Sequence, residues 1–471
     1  MTTGNLLSVL AMSGKHRKRL RDHLFPRDGK EAVAIALCGQ AIGSSRHQLL
    51  VHEIIPVPYD ACSIREPDAV SWSVASVLPA LNQAMKCGMT VVKFHSHPSG
   101  FPEFSTYDDE SDQAFFTAVD NVLGNEDARA SVVMLPDGRF FGRHVTSGTL
   151  GRGIDLFRIA GDDFEFIHSN TGDLDASGTP EHALRLIQTF GEGTYRTLQK
   201  LRIGVVGASG TGSIAVEQLA RNCAGELLLI DPDHLERKNL NRVLNSRGAD
   251  ADERRLKVER ARESVLAMDL GTVVNVLAND IYDRDTILAL GECDVLFGCV
   301  DSVLGRHILN KVASHFLIPF IDMGVRIDAD GKGNVAQVTG AIHTLQPGGS
   351  SLQSRGVYSQ EDLNAAFMKR LEPARYQEML KSGYVKGVEV DRPAVISLNM
   401  LVATYAVNEL LARLTPYRVE PNAEFSQWRI SLSDPDVTMH QRDGDVCVAF
   451  AKRIGFGARE PLLGILDLQK C

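Results

Sequence analysis

The sequence predicts an α/β protein in two parts: a compact α/β unit, then a domain built on a nucleotide-binding βαβ unit. Three observations carry this. An apolar run ends in the pattern His-x-His, a second apolar run ends in a glycine-rich turn followed by helical periodicity, and 471 residues are too many for one core. The expected boundaries are residues 1–155 for the first unit, 156–180 for a polar Gly/Asp/Ser-rich linker with at most one short strand, and 181–471 for the second. A hydrophobic content of 44% and a charged content of 23% are those of a soluble globular protein. The net charge of −9 argues against a nucleic-acid binder driven by phosphate contacts, and Lys15–Arg21 reads as a solvated helix face. The eight cysteines are scattered and no Cys-x-x-Cys occurs, so a disulfide framework is not expected and a reducing, cytoplasmic setting is. Met1–Met12 is too short and too little apolar for a secretory signal. The longest apolar stretch, Ile396–Leu414, carries Asn399, Asn408 and Glu409 and reads as a buried helix, not a membrane span.

In order, residues 1–30 read as a helical lead-in, and Glu31–Gly39 and Gln48–Pro56 as neighbouring strands with His52 and Glu53 on a polar face. Ser71–Lys86 has helical periodicity, and Met89–Phe94 is a buried strand. A helix over Asp112–Leu123, a strand over Ala130–Met134, a turn at Pro136–Gly138 and a closing strand over Arg139–His144 complete the unit.

The first candidate site lies at the end of the Met89–Phe94 strand. His95 and His97, at i and i+2 on an extended chain, point the same way and can reach one metal ion. Pro98, Gly100 and Pro102 force a loop, Ser105 is a good N-cap, and Asp108 falls in the first helical turn, where it can face back to the strand end. Two imidazoles and a carboxylate make a three-ligand zinc site with an open position for water, the catalytic rather than the structural arrangement.

His95-Ser96-His97-Pro98, with Ser105 and Asp108 at their spacing, resembles the JAB/JAMM metallopeptidase family, and Glu31 before the apolar strand ending in Gly39 matches the glutamate that family places upstream. The resemblance implies a JAB/MPN-type α/β fold. It implies Glu31 as general base toward a water activated by zinc, and Ser105 as a donor to the oxyanion of the tetrahedral intermediate. It also implies cleavage of peptide or isopeptide bonds after ubiquitin-like C-terminal tails.

In the second domain Arg202–Val206 reads as a strand, followed by Gly207, Gly210 and Gly212, a helix to about Cys223, and a strand Glu226–Ile230 ending in Asp231. The glycines allow close approach of phosphates, the helix N-terminus favours anions, and the carboxylate can bond a ribose hydroxyl. This much equally suits a dehydrogenase. Asn239, Arg242, Lys257 and Asp301, the last after the apolar Asp294–Val300, extend the set. Together these residues resemble the ThiF/MoeB/E1 adenylating family over about residues 181–415. That resemblance implies a Rossmann-like domain binding ATP and Mg²⁺. Asp231 is expected on the ribose, Arg242 and Lys257 on the phosphates, Asp301 on magnesium and Asn239 as support to that region. Arg185, before Phe190-Gly191, stands where the family often has an arginine reaching into a partner subunit, and a homodimer through this domain is implied. Gly324–Thr344 reads as further strands, Pro393–Leu414 as the closing helix, and Glu420–Cys471 as a β-rich piece with a tail.

Two features of that family are missing. Where a first Cys-x-x-Cys would bind structural zinc, after Pro347-Gly348-Gly349, stand Ser351-Leu352-Gln353-Ser354, so no zinc is expected in this domain. Between Phe316 and Val446 there is no cysteine to form a thioester, and near the expected nucleophile loop, Lys381–Val388, only Ser382 is available. Cys293 and Cys299 read as core. Three routes stay open: adenylation alone with direct hand-over, an oxyester on Ser382, Ser351 or Ser354, or recruitment of Cys447.

The two resemblances together imply a bifunctional enzyme of a bacterial ubiquitin-like modification pathway. One site would activate the C-terminus of a ubiquitin-like protein and the other cut after that tail, with an E2-like conjugating enzyme as a further partner. The alternatives are activation and trimming of a sulfur carrier for cofactor biosynthesis, and a scaffold with dead sites.

Overall fold

A computed structural model of the protein describes residues 6–124, 128–169, 179–329, 334–382 and 395–470. The chain divides into two units. One comprises Met1–Leu174, His315–Leu317 and Arg453–Cys471, the other Asp175–Ser314 and Ile318–Lys452.

The first unit runs β1 (Leu7–Ser13), α1 (Gly14–Leu24), β2 (Val33–Ile42), β3 (Arg46–Pro56), β4 (Cys62–Glu66), β5 (Ala69–Trp72), α2 (Leu78–Cys87), β6 (Thr90–Ser96), α3 (Thr106–Leu123), β7 (Arg129–Met134), β8 (Phe140–Thr146), β9 (Thr149–Gly153), β10 (Leu156–Ala160) and β11 (Phe164–His168). All but the β4–β5 hairpin join one nine-stranded sheet in the order β11-β10-β1-β3-β2-β6-β7-β8-β9. Period-2 alternation gives β2 two faces. Ala34, Ala36 and Cys38 pack with Leu20 and Leu24 of α1, while Val33, Ile35 and Leu37 pack with Leu81 of α2 and Phe116 of α3. Val91 belongs to the second face and Val92 and Phe94 to the first, so Lys93 and His95 look toward α2 and α3.

Four sequence expectations are corrected here. The lead-in holds a strand, β1, before its helix, because Val9–Met12 is a buried apolar run paired with both β3 and β10. The helix expected from Asp112 begins at Thr106, where Ser105 and Asp108 close a capping box. The expected linker carries two strands of the first sheet, since Leu156–Ala160 is buried throughout and pairs parallel to β1. The tail does not stay with the second domain: Arg453–Cys471 belongs to the first unit, where Gly455 O accepts from Gly39 N at 3.1 Å and Ile454 O from His52 Nδ1 at 2.7 Å.

The second unit opens with α4 (Leu184–Phe190) and α5 (Glu192–Lys200). It continues with β12 (Arg202–Val206), α6 (Gly210–Arg221), β13 (Glu226–Ile230), α7 (Gly248–Asp252), α8 (Lys257–Leu266), β14 (Val273–Leu277), α9 (Arg284–Gly291), β15 (Val295–Gly298), α10 (Val303–Phe316) and β16 (Phe320–Ala329). It ends with β17 (Val335–Leu345), α11 (Gln360–Leu371), α12 (Pro373–Lys381), α13 (Ile396–Leu414), β18 (Gln427–Ser431), β19 (Met439–Gln441) and α14 (Val448–Ala451). The sheet order is β14-β13-β12-β15-β16-β17-β18-β19. Strands β14 to β16 pair parallel and the remainder antiparallel. The parallel strands are short apolar runs, as expected where helices cover a sheet. The order reverses direction between β12 and β15, the crevice where open α/β sheets bind ligands. Among the described residues no helix is long and apolar enough to cross a membrane.

Candidate functional site

In the first unit β6 lies between β2 and β7, with His95 in register with Val33 and Val133. Two further bonds fix the strand end: His97 N donates to Met134 O at 3.2 Å and Ser96 N to Ala32 O at 3.2 Å. The capping box turns Asp108 back toward it. His95 Nε2 lies 3.1 Å from His97 Nε2 and 3.0 Å from Asp108 Oδ1, and His97 Nε2 lies 3.4 Å from Asp108 Oδ2. His95, His97 and Asp108 are all buried, and their donor atoms stand close enough together to hold a metal ion. Ligand separations of about 3.3 Å are what a tetrahedral centre with bonds of about 2.0–2.1 Å requires. His97 Nδ1 lies 2.8 Å from Phe101 O, and with the proton held on Nδ1 the Nε2 atom would offer its lone pair to a metal ion. The residues present therefore fit a zinc ion.

Glu31 is buried beside the cluster, its Oε1 4.0 Å from His97 Nε2, and its N–H donates to Glu66 O at 2.9 Å. Burial pushes its carboxyl up to about 8, His97 opposes this, and Asp108 and Asp68 add to it. A nearby dication would draw that value down. Burial alone would raise Asp108 too, but the hydrogen bonds from His95 and His97 hold it well below the ordinary carboxylate range. Burial lowers His95. It acts against His97 as well, yet Asp108 and the Phe101 carbonyl win there and raise it. Ser105 Oγ donates to Asp108 Oδ2 at 2.7 Å and accepts from Asp108 N at 3.1 Å. Its single proton is thus committed, and the expected oxyanion role requires that bond to be exchanged.

Behind the triad is a set the sequence analysis passed over. Lys93 Nζ donates to Asp112 Oδ1 at 2.7 Å and Ser111 Oγ at 3.0 Å, and Ser131 Oγ to Asp112 Oδ1 at 2.9 Å. Arg143 bonds Asp112 Oδ2 at 2.7 Å and lies 3.7 Å over the Phe104 ring. The signal was legible: Lys93 precedes His95 by one strand repeat, and Asp112 follows Asp108 by one helical turn.

In the second unit the glycine turn sits at the end of β12. Gly207 has φ +92°, and a Cβ there would stand 2.6 Å from Cys299 O. A Cβ on Gly212 would stand 1.7 Å from Gly207 O, so α6 approaches its own strand as only glycine allows. Asp231, at the end of β13, accepts Ala208 N at 2.8 Å and Asp233 N at 2.9 Å, leaving each oxygen a further lone pair. Burial raises its carboxyl, and Lys257 opposes this. Lys257 Nζ is 2.7 Å from Asp233 Oδ2 and 3.7 Å from Asp231 Oδ1. Asp233 is thus a member of the set that the sequence analysis did not single out.

The glycines, Asp231 and Lys257 therefore come together. Arg242 Cδ would lie 3.5 Å from a Cβ at Gly210, while its Nη1 bonds Lys238 O at 2.8 Å. Asp301 is exposed just beyond β15, whose following residue, Cys299, meets Gly207. Asn239 is buried and its Oδ1 accepts from Glu236 N at 3.0 Å, closing the turn that presents Arg242.

Residues 182–445 match the ThiF family. The chain belongs to the ThiF family. That membership makes the second unit an E1-like adenylating domain. Among curated proteins, this ThiF chain is 27% identical over 184 residues to ubiquitin-like modifier-activating enzyme 5 of Caenorhabditis elegans, covering 36% of this chain and 41% of that one. It is 25% identical over 144 residues to a ubiquitin-activating enzyme E1-like protein of Saccharomyces cerevisiae, covering 30% and 22%. The chain thus spans less than half the length of these relatives. Among solved structures, E. coli MccB with MccA-N7isoAsn aligns over 57% of this chain and 74% of that one, at 17% identity and a TM-score of 0.45.

The remaining expected residues of this ThiF domain stand apart. Arg185 is on α4 and bonds Gln188 of its own helix at 3.1 Å. Ser382 caps α12, its hydroxyl donating to Glu378 O at 3.0 Å and Met379 O at 3.1 Å, and the rest of the expected nucleophile loop lies outside the described residues. Ser351 is fully buried, and its Oγ accepts from Ser354 N at 3.0 Å, while Ser354 Oγ donates to Ser351 O at 3.1 Å. The hydroxyls of Ser351 and Ser354 are thus both engaged in one closed turn. Cys299 is half-buried as a residue, desolvation of its thiol pushes it up to about 12, and Cys293 is buried. Cys447 is half-buried, and its N–H donates to Gly349 O at 3.0 Å.

Proposed function

We propose that the chain is a two-site enzyme acting on the C-terminal tail of a ubiquitin-like protein. The second unit joins that carboxylate to AMP, releasing pyrophosphate, and the first hydrolyses the peptide or isopeptide bond such a tail forms. The observation that carries the reading is the convergence of His95, His97 and Asp108 beside Glu31 in a chain whose other unit is ThiF. Opposed chemistries on one thin tail give a physical reason to fuse the two.

In the adenylating unit Asp231 offers free lone pairs to ribose hydroxyls, Lys257 and Arg242 balance the phosphate charge, and Asp301 holds Mg²⁺. In the other, His95, His97 and Asp108 hold Zn²⁺, which supplies an acidified water when bound. Glu31 would take a proton from the attacking water and pass it to the leaving amine; burial raises its carboxyl, and a bound dication would draw it back toward the range of a working base. Homodimerisation and an E2-like partner belong to the same reading. The cysteine-free stretch from Phe316 to Val446 favours an enzyme that stops at the acyl adenylate, which a sulfur-carrier substrate also fits.

The test is ATP–pyrophosphate exchange with candidate carrier proteins, beside cleavage of a carrier extended at its tail. Exchange with a ubiquitin-like protein and cleavage lost in His97→Ala alone support the reading. Exchange with sulfur carriers only points to the second substrate class, and no exchange with any carrier removes the adenylating role.

A further inference from the structure

The α6 N-terminus has more donors than the reading above uses. Ser209 precedes this 12-residue helix, and its side chain makes no capping bond. Asp231 takes the N–H groups of Ala208 and Asp233, neither of which belongs to α6. The first N–H groups of the helix therefore face the crevice with the positive end of the helix dipole behind them.

A second observation points to the same place from another element. Asn399 sits in the first turn of α13, its N–H donating to Val395 O at 3.1 Å. It is 4% exposed, and its Nδ2 has no hydrogen-bond partner among the described residues. A Cβ placed on Gly210 would stand 2.3 Å from that Nδ2 and 3.5 Å from Arg242 Cδ. The amide thus lies over the first residue of α6, and a Cβ there would have to displace it. Gln218 Nε2 donates to Thr404 Oγ1 at 2.9 Å, tying α6 to α13 further along. A buried amide that donates to nothing is costly, and a nearby anion removes the cost.

We propose that Asn399 is a further anion-binding residue of this crevice, its side-chain amide donating to a phosphate oxygen of a nucleoside triphosphate lying across the N-terminus of α6. The assignment rests on the adenylation reading and adds to it a neutral donor. A neutral donor can hold a phosphate oxygen where an attacking carboxylate approaches, without pairing with that carboxylate.

The test is calorimetric binding to the full chain of Mg²⁺ with α,β-methylene-ATP, and separately of adenosine. Asn399→Ala is expected to weaken the triphosphate analogue about tenfold, the worth of a hydrogen bond to a charged group, with adenosine unchanged. Asn399→Asp, nearly isosteric, keeps the fold if the alanine variant does not, and is expected to weaken the analogue further by repulsion. Wild-type affinity for the analogue in both variants overturns the assignment, as does an equal loss for adenosine and analogue, which marks a packing role. A wild-type chain that binds neither ligand overturns the adenylation reading together with it. Binding intact in the wild type and unaltered in the variants overturns the assignment alone.

Discussion

Lys93 and Asp112 form a buried ion pair, Nζ to Oδ1 at 2.7 Å, with side chains 3% and 0% exposed. The pair repeats the geometry of His95 and Asp108, which face each other from the same strand and the same helix. It therefore fixes the register between β6 and α3 that sets the spacing of His95, His97 and Asp108.

Lys93→Met is expected to leave Asp112 charged, buried and short of its partner, at a cost of about 3–5 kcal/mol. Lys93→Met combined with Asp112→Leu should recover part of that stability, because the buried carboxylate is gone and Arg143 keeps Asp109 as its partner. Urea unfolding of the three proteins checks this, and additive losses in the double variant would contradict it.

Zinc removal should separate the two units. Chelation, or His97→Ala, is expected to abolish tail cleavage and zinc content while leaving pyrophosphate exchange at the wild-type rate. Metal analysis beside both assays reads the outcome. Loss of exchange in the same variant would mean that the sites are not chemically independent.

Arg242→Ala or Lys257→Met is expected to lower pyrophosphate exchange by about 10²–10³-fold, the usual effect of removing one preorganised charge-stabilising donor. Asp301→Ala should do the same and raise the Mg²⁺ concentration needed. Tail cleavage is expected to be unchanged in all three.

Gly212→Ala forces a Cβ to within 1.7 Å of Gly207 O, so the helix or the strand must move. A cost of at least about 1–3 kcal/mol is expected, with loss of nucleotide binding. Thermal melting with and without ATP measures both.

Burial, aided by the neighbouring His47 and Arg152, lowers His144 from 6.5 to about 4. Its Nε2 lies 2.5 Å from Ser8 Oγ. The folded state favours neutral imidazole, so between pH 6.5 and 4 the unfolded chain binds more protons and stability falls as pH falls. The contribution is about 1–3 kcal/mol once complete. His144→Gln should flatten that part of the stability–pH curve relative to wild type. An unaltered difference between pH 7 and pH 4.5 would contradict the assignment.

Local chemistry made much of this molecule legible in its sequence. His95, His97, Ser105 and Asp108 are close in sequence, and strand alternation plus one capped helix turn are enough to bring them together. The glycine turn and Asp231 are legible for the same reason, since a strand, a tight turn and a helix position them within one βαβ unit. Partners distant in sequence were not legible. Ser351 and Ser354 could be seen as replacements for cysteines, but not as a closed hydrogen-bonded turn. Leu156–Ala160 looked like linker because its polar, glycine-rich surroundings dominated the window, and its strand character depends on pairing with β1.

By itself, then, the sequence determined the two α/β units, the clustering of His95, His97 and Asp108 and the glycine turn after β12, because each is specified by residues within one or two elements. Only the tertiary structure decided that β10, β11 and the tail from Arg453 belong to the first unit, that Lys93 pairs with Asp112, and that the Asn399 amide lies over Gly210. Those relationships join residues through sheet pairing and helix packing, where the energy of burial, not the local pattern, selects the partner.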